Sequence, residues 1–278
     1  MKYVRYGEAG QEWPGLIAED GTLRDLSQLV ADIDPISIAD GSLAAAAAQW
    51  PTLPVVEGSP RLGPPITAPG KFLGVGLNYA DHAAEAKLPV PEQPVLFFKA
   101  TSCINGPDDD VILPEGADTL DWEVELGFVI GKPAYRVTPE QAREHIFGYL
   151  VVNDISERTW QIQRSAAQWT KGKSHDTFGP IGPWLVSADE IADPRSLDLW
   201  LKVNGETMQS GNTRHMVFDV FQVLADASQY MRLMPGDIIT TGTPPGVAMG
   251  MKPPRYLRRG DVMELSVAGL GAQRQRVV

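Results

Sequence analysis

The sequence predicts an α+β fold in which strands predominate, preceded by a small N-terminal domain. From Lys71 onward, short apolar runs of strand length and composition recur. They are "KFLGVG", "PVLFFKA", "WEVELGFVIG", "GYLVVND", "PWLVSA", "LWLKVNG", "DIITTG" and "DVMELSV". A stretch rich in Pro and Gly, "TLPVVEGSPRLGPPITAPGK", separates these runs from the first part of the chain. We therefore predict an N-terminal domain of residues 1–68 and a main domain of residues 69–278.

The N-terminal domain is expected to contain two short strands and a helix. "MKYVRY" and "WPGLIA" have strand character, and the Ala-rich segment "SLAAAAAQW" favours a helix. Its small size indicates a cap on the main domain.

Three segments of the main domain have helical signals. Thr138 and Gln141 form a potential capping box at the start of "TPEQAREHIF", and "VFDVFQVLADASQYMRLM" has helical periodicity that stops before Pro235. The segment "SERTWQIQRSAAQW" is also predicted to be helical. Such a helix would place Arg158 and Gln161, three residues apart, on one face.

The overall charge restricts the classes of function. Lys and Arg number 24 against 35 Asp and Glu, a net charge of −11, which argues against binding to nucleic acid or to an anionic membrane. The first residues lack the apolar core of a signal peptide and no apolar run is long enough to span a membrane, so we expect a cytoplasmic protein. The single cysteine, Cys103, is expected to be a small buried hydrophobic residue.

The stretch "DTLDWEVELG" is the first candidate for a functional site. Asp121, Glu123 and Glu125 alternate with apolar residues, a pattern typical of a strand with one buried face. A solvated acidic face is the ordinary interpretation. The alternative is a site for a hard cation, and the position of Asp154 at the end of the apolar run "GYLVVND" favours it, because a buried carboxylate needs a partner. Glu123, Glu125 and Asp154 together would supply three oxygen ligands for Mg²⁺ or Mn²⁺.

Other polar groups suit acid–base chemistry on an anionic substrate. His82 and Glu85 are three residues apart in "NYADHAAEA", so Glu85 could orient His82 as a general base, although a lone surface histidine is the ordinary alternative. Lys173 could neutralise an anionic substrate or be a surface lysine. "TTGTPPGV" could offer Thr243 and backbone N–H groups to a substrate.

The ordered motifs of the chain resemble the fumarylacetoacetate hydrolase family, especially its bacterial acylpyruvate and 2,4-diketo-3-deoxy-sugar-acid hydrolases. The motifs that carry the resemblance are "GLNYADHAAE", "PVLFFKATS", "DWEVELGFVIG", "VVNDISERTWQ", "QWTKGKSHDTFGPIGP" and "TTGTPPGV". The resemblance covers roughly Lys71 to the C-terminus. One departure is Leu77, where some relatives carry arginine.

The resemblance implies a mixed β-roll catalytic domain, a homodimer and one divalent cation per subunit, Mg²⁺ or Mn²⁺, held by Glu123, Glu125 and Asp154. It implies that Asp121 is not a ligand, that Lys173 is the active-site lysine, and that His82 and Glu85 form the hydrolytic dyad on a mobile lid. It further implies that the substrate is a small 2-oxo acid and that its contacts come from four residues, Lys99, Arg158, Gln161 and Thr243.

The predicted reaction is hydrolysis of a carbon–carbon bond in a 2,4-diketo acid, either an acylpyruvate or a 2,4-diketo-3-deoxy sugar acid, to pyruvate and a carboxylic acid. The polar segment "QSGNTRH" could meet the hydroxyl groups of a sugar-acid tail. Decarboxylation of oxaloacetate, or isomerisation or hydration of a 2-oxo acid, would use the same metal and an enolate. An inactive member that only binds a partner is a fourth alternative.

Overall fold

A computed structural model describes residues 1–85, 89–166 and 168–278, with the backbone alone at residues 82–84. The described strands are β1 (Lys2–Tyr6), β2 (Trp13–Ile17), β3 (Leu23–Asp25), β4 (Leu62–Gly63), β5 (Phe72–Gly76), β6 (Val95–Lys99), β7 (Ile104–Asn105), β8 (Leu120–Asp121), β9 (Val124–Ile130), β10 (Ile146–Asn153), β11 (Ser156–Glu157), β12 (Gly179–Ser187), β13 (Asp198–Val203), β14 (Glu206–Asn212), β15 (Ile238–Thr240), β16 (Val262–Val267) and β17 (Ala272–Arg276).

Short helices connect the strands. The α-helices are α1 (Pro35–Ala39), α2 (Ser42–Ala47), α3 (Ala80–Glu85), α4 (Pro139–Ala142), α5 (Thr170–Lys173) and α6 (Val220–Tyr230). A π-helix covers Thr159–Gln163, and 3₁₀ turns occur at Trp50–Thr52, Thr101–Cys103, Arg143–His145, Ala188–Glu190, Thr213–His215 and Ala248–Gly250. No helix in these described ranges is long and apolar enough to cross a membrane.

The described strands form one large mixed sheet, a four-stranded antiparallel sheet and a two-stranded ribbon. The main path of the large sheet runs β3-β2-β1-β12-β10-β9-β15-β5-β6, and β15 pairs parallel to β5. The four-stranded sheet has the order β14-β13-β16-β17, and β11 pairs with β8 in the ribbon. The prediction of a mainly β fold is confirmed.

Strand β9 lies at the centre of the large sheet. All seven of its residues are buried, with β10 on one side and β15 on the other. Phe128 and Leu126 are fully buried, and burial on both faces explains why this strand is so rich in apolar residues. A strand held on both sides is a rigid support for the side chains at its ends.

The N-terminal segment extends the large sheet. Strand β1 pairs with β12, with Lys2 opposite Val186, while the predicted helix of this segment forms as α2. The division of the chain after residue 68 stays a prediction.

Several segments differ from the expected elements because tertiary contacts override local patterns. The acidic stretch is not one strand: Asp121 ends β8 and pairs with Ser156, and β9 begins only at Val124. The segment after Asp154 forms β11 and the π-helix instead of an α-helix. The capping box at Thr138 is present, with the Thr138 N–H donating to the Gln141 side chain at 2.9 Å, but α4 is a single turn followed by a 3₁₀ turn.

Candidate functional site

Three buried carboxylates meet at one end of β9 and β10. Glu123 precedes β9, Glu125 lies within it, and Asp154 follows β10 directly. One oxygen from each of these side chains lies within 4.8 Å of the others. The Asp154 N–H donates to the Glu123 carbonyl oxygen at 2.9 Å, which fixes the two strand ends beside each other. We call these three residues the carboxylate triad.

Three cations surround the carboxylate triad. The Lys173 ammonium lies 2.9 Å from Glu123 Oε2 and 2.6 Å from Asp154 Oδ2, and the Lys99 ammonium lies 2.6 Å from Asp154 Oδ1. Arg158 Nη2 lies 2.7 Å from Glu123 Oε1. The structure thus brings the predicted Lys99, Arg158 and Lys173 to the predicted triad.

Burial and mutual repulsion shape the protonation of this cluster. Burial raises the pKa of the Glu125 carboxyl well above its usual range, and the neighbouring Asp154 and Glu123 raise it further. Burial alone would lower the pKa of Lys173, but the attraction of Asp154 and Glu123 is stronger and raises it. The surroundings of Glu125 therefore favour the binding of a proton or a cation to its carboxylate.

Glu125 is oriented by the last residue of β15 and by the loop that follows this strand. The Thr240 hydroxyl and the Gly242 N–H, at 2.8 Å, both donate to Glu125 Oε2. Gly242 has a φ of +89°, and a Cβ there would lie 2.9 Å from the Asn78 Cβ, so glycine is required. Sequence reasoning did not single out Thr240 or Gly242, although a hydroxyl at a strand end beside a glycine turn was a usable signal.

Asp121 has a different environment from the triad. Its carboxylate accepts from the N–H groups of Trp122, Ala248 and Met249, and from Arg158 Nε at 2.8 Å. These bonds occupy both oxygens. Asp121 therefore holds Arg158 and the 248–249 turn in place, and the expectation that it is not a ligand stays a prediction.

Gln161 and Thr243 lie beside the carboxylate triad. Gln161 accepts from Arg158 Nη1 at 3.0 Å, so the predicted proximity of these residues is confirmed although the helix type is not. The Thr243 hydroxyl donates to the Val124 carbonyl and accepts from Gln209 Nε2. Both side chains line the cavity described below.

The predicted dyad is only partly described. Glu85 ends α3, and its carboxylate accepts from the Gly246 N–H at 3.0 Å, which ties α3 to the loop that follows β15. The His82 side chain and residues 86–88 lie outside the described part of the chain, so the pairing of His82 with Glu85 stays a prediction. His175 and His215 lie elsewhere: His175 makes tilted ring contacts with Trp160 and Phe178, and His215 ends a 3₁₀ turn.

A cavity of about 160 Å³ opens onto Glu123 and Glu125 of the carboxylate triad. Its polar lining comprises Glu123, Glu125, Arg158, Gln161, Lys173 and Thr243, and its remaining lining comprises Val75, Gly76, Leu77, Phe97, Ile162, Trp169, Gly242 and Met249. A small acid could therefore contact the triad while the rest of the molecule lies against apolar side chains.

The donor set fits a divalent cation. Three carboxylates within one ligand sphere suit a hard cation such as Mg²⁺ or Mn²⁺ better than a soft one. The raised pKa of Glu125 agrees with this, because a divalent cation would remove the repulsion that Asp154 and Glu123 exert on it. Within the described part of the chain, the group of potential ligands consists of carboxylates and includes no cysteine sulfur.

The family model for the C-terminal domain of fumarylacetoacetate hydrolase matches residues 71–278, most of the chain. The chain belongs to the fumarylacetoacetate hydrolase family. This family member is 56% identical over 277 residues to a hydrolase-named protein of Burkholderia multivorans, with 99% of this chain and 98% of the relative covered.

Solved structures of the same fold come from proteins with different activities. A maleylpyruvate hydrolase from Sphingobium sp. SYK-6, solved with manganese(II) and pyruvate, is 30% identical with a TM-score of 0.83, covering 100% of this chain and 99% of that one. A 2-hydroxyhepta-2,4-diene-1,7-dioate isomerase from Mycobacterium marinum is 32% identical with a TM-score of 0.76, covering 100% and 98%. The fold expected from the family resemblance is confirmed.

Proposed function

We propose that the protein is a metal-dependent hydrolase that cleaves a carbon–carbon bond in 2,4-diketo acids, releasing pyruvate and a carboxylic acid. Acylpyruvates and 2,4-diketo-3-deoxy sugar acids are the candidate substrates. The observation that carries the proposal is the buried carboxylate triad at the end of a cavity that also presents Lys173. The similar maleylpyruvate hydrolase, which was solved with manganese(II) and pyruvate, supports it.

The cation and the lysines would interact with different negative charges. A divalent cation, Mg²⁺ or Mn²⁺, held by Glu123, Glu125 and Asp154 would supply Lewis-acid stabilisation for the enolate that the departing pyruvate must become. Lys173, already beside two triad carboxylates, would offset negative charge that develops on the substrate. Lys99 contacts Asp154 Oδ1, the oxygen that Lys173 does not contact, and so orients this carboxylate. Lys99 does not line the cavity, and its expected contact with the substrate stays a prediction.

Three further side chains would position the substrate. Arg158 and Gln161 are linked to each other and line the cavity, and Thr243 lines it from the loop after β15. The Thr243 hydroxyl donates to the Val124 carbonyl and accepts from Gln209 Nε2, so its remaining lone pair could accept a hydrogen bond from a hydroxyl group of the substrate.

The hydrolytic step is assigned to the His82/Glu85 pair. His82, oriented by Glu85, would take a proton from water while the water oxygen attacks the C4 carbonyl. The C3–C4 bond then breaks, the electron pair leaves as the pyruvate enolate, and protonation at C3 gives pyruvate. The bond from the Gly246 N–H to Glu85 brings α3 to the same loop as Thr243, which supports a place for this helix near the cavity.

Two alternatives remain in the same chemical class. Decarboxylation of oxaloacetate would produce the same pyruvate enolate without water. Isomerisation or hydration of a 2-oxo acid is kept because a similar structure is a 2-hydroxyhepta-2,4-diene-1,7-dioate isomerase.

The deciding experiment compares substrates and a His82 variant. Pyruvate release from acylpyruvates, diketo sugar acids and oxaloacetate is measured for the protein loaded with Mg²⁺ or Mn²⁺. We predict that His82→Ala lowers diketo-acid cleavage on the order of 10²- to 10⁴-fold, the usual cost of losing a general base, while any oxaloacetate activity falls much less, because that reaction needs no activated water.

His145→Ala, at a half-buried histidine in a 3₁₀ turn that does not line the cavity, is the control and should leave both rates unchanged. Equal losses on both substrates in His82→Ala, or a wild-type protein that is faster on oxaloacetate than on every diketo acid, would favour the decarboxylase. Conversion of an unsaturated 2-oxo acid without pyruvate release would favour the isomerase.

A further inference from the structure

The cavity has a charged end and an apolar end. Its charged groups, Glu123, Glu125, Arg158 and Lys173, belong to the carboxylate triad or contact it. Its large apolar side chains are Val75, Leu77, Phe97, Ile162, Trp169 and Met249. A 2-oxo acid whose carboxyl and keto groups face the triad would therefore extend its tail among apolar groups.

An aromatic wall connects the two ends. The Lys173 ammonium lies 5.2 Å from the centroid of the Phe97 ring, and the Phe97 and Trp169 rings lie 5.5 Å apart. Trp169 in turn lies directly on Gly76, where a Cβ would be 2.1 Å from the indole Cζ3 atom. The wall is therefore continuous from the active-site lysine to β5, and glycine at position 76 is what admits the indole.

The cations of the cavity are already engaged. Nε, Nη1 and Nη2 of Arg158 contact Asp121, Gln161 and Glu123 respectively, and the Lys173 ammonium contacts Glu123 and Asp154. Among the lining residues that the structure describes, there is no further Lys, Arg or His. A second carboxylate on the substrate tail would lose its water without gaining a free cationic partner among the described lining residues, which is costly.

The outer part of the cavity exposes apolar surface. Ile162 is 49% exposed although it lines the cavity, and Leu77 lines it from a left-handed backbone conformation with φ of +56°. Such a conformation is unfavourable for leucine and is kept where the surroundings require it. Residues 209–215 are not among the described residues that line the cavity. The expected contact of "QSGNTRH" with sugar hydroxyls stays a prediction.

We infer that the site selects 2-oxo acids with an uncharged, apolar tail and discriminates against acids that carry a second carboxylate on the tail. This inference rests on the proposed function, because it assumes that the 2-oxo acid group faces the carboxylate triad. Within the candidate substrates it favours alkyl or aryl acylpyruvates over sugar acids, whose tails are polar.

The test measures binding, not turnover. The Mn²⁺-loaded protein is titrated by calorimetry with 2-oxohexanoate and with 2-oxoadipate, which differ only in a terminal methyl group against a terminal carboxylate. We expect 2-oxohexanoate to bind at least about tenfold more tightly, because the second carboxylate is desolvated without a partner. Leu77→Arg supplies that partner and should remove or reverse the preference.

Two further variants control for charge and for folding. Phe98→Arg adds the same charge next to Phe97, at a residue that is 45% exposed and does not line the cavity. This variant should keep the wild-type preference for 2-oxohexanoate. Ile162→Arg places the charge at the exposed mouth and should shift the preference in the same direction as Leu77→Arg. Equal affinities in the wild type, or tighter binding of 2-oxoadipate, would overturn the inference.

The binding test and the hydrolase assay can refute the tail preference and the hydrolase activity independently. A protein that prefers 2-oxohexanoate but releases no pyruvate from any diketo acid would refute the hydrolase and keep the tail preference. A protein that cleaves diketo acids but binds 2-oxoadipate as tightly as 2-oxohexanoate would keep the hydrolase and refute the tail preference.

Discussion

Individual carboxylates of the acidic motif have separate tasks that their spacing does not reveal. Both carboxylate oxygens of Asp121 accept hydrogen bonds from backbone N–H groups and Arg158. Glu123 and Glu125 instead have oxygens within 4.8 Å of each other and of Asp154. Alternation predicted that all three share one face. The chain instead changes partner between β8 and β9, so the first carboxylate supports the site and the other two form it.

Lys99, Lys173 and Asp154 show how far single residues could be predicted. Local sequence marks Asp154 as a buried charge in need of a partner, but it does not say which cation provides it. Lys99 and Lys173 come from β6 and α5, and only the packing of these elements brings both ammonium groups to Asp154. The family resemblance supplied this grouping, and the residues alone did not.

Cys103 tests the prediction of a buried, unreactive thiol. Burial raises the pKa of this thiol from its ordinary value of 9.0 to about 11, so the native protein should contain almost no thiolate at pH 8. We expect a disulfide reagent such as DTNB to modify the native protein far more slowly than the urea-unfolded chain. Rapid modification of the native protein would contradict the buried placement.

The same pKa shift has a consequence for stability. Because the folded pKa is raised, the contribution of Cys103 to stability is fully present below pH 9 and is lost as the pH rises through about 11. The free energy of unfolding should therefore fall less steeply over that interval in Cys103→Ala than in the wild type. Denaturant titrations of both proteins at pH 8, 9, 10 and 11 measure this difference, and parallel pH dependence would argue against it.

At the scale of elements, the short helix α5 packs closely against the backbone of the π-helix. Gly172 in α5 faces the π-helix, and a Cβ there would lie 2.5 Å from the Gln161 nitrogen and 2.5 Å from the Glu157 carbonyl oxygen. This contact places Lys173, the next residue, against Glu123 and Asp154. The strands were predictable from their apolar runs, but this docking was not, because it depends on a gap that only glycine leaves.

The change in stability caused by Gly172→Ala should have opposite signs depending on whether close packing or helix propensity dominates at this position. Propensity alone would make alanine more stable by about 1 kcal/mol, whereas overpacking against backbone atoms costs about 1–3 kcal/mol. We predict a net loss of stability together with reduced turnover, measured by urea unfolding and pyruvate release. The exposed neighbour Lys171→Ala should change stability little, and a stabilised Gly172→Ala would show that α5 is not closely docked.

At the scale of the whole molecule, we propose that the protein is a homodimer, as the family resemblance implies. Exposed apolar side chains such as Trp13, Ile36 and Tyr230 are the kind of surface that association covers. Light scattering after size exclusion should give about twice the chain mass of 30.2 kDa. A concentration-independent mass equal to one chain would contradict the proposal.

The large mixed sheet explains why the site lies where it does. Strand β9 is buried between β10 and β15, so the ends of these three strands bring Glu123, Glu125, Asp154 and the 240–243 loop together. The motifs predicted the candidate residues and their order in the chain. The order of strands in the sheet, which creates the meeting point, depends on contacts far apart in sequence.

The most direct test of the central claim is the affinity for Mn²⁺, measured by calorimetry for the wild type and four variants. Glu123→Gln, Glu125→Gln and Asp154→Asn each remove a proposed ligand, and we predict losses on the order of 100-fold or more. Asp121→Asn, in the same acidic motif, contacts a ligand only through Arg158, and we expect a loss of about 10- to 100-fold at most, smaller than in any triad variant. Unchanged affinity in the three triad variants, or an equal loss in Asp121→Asn, would contradict a cation site at Glu123, Glu125 and Asp154.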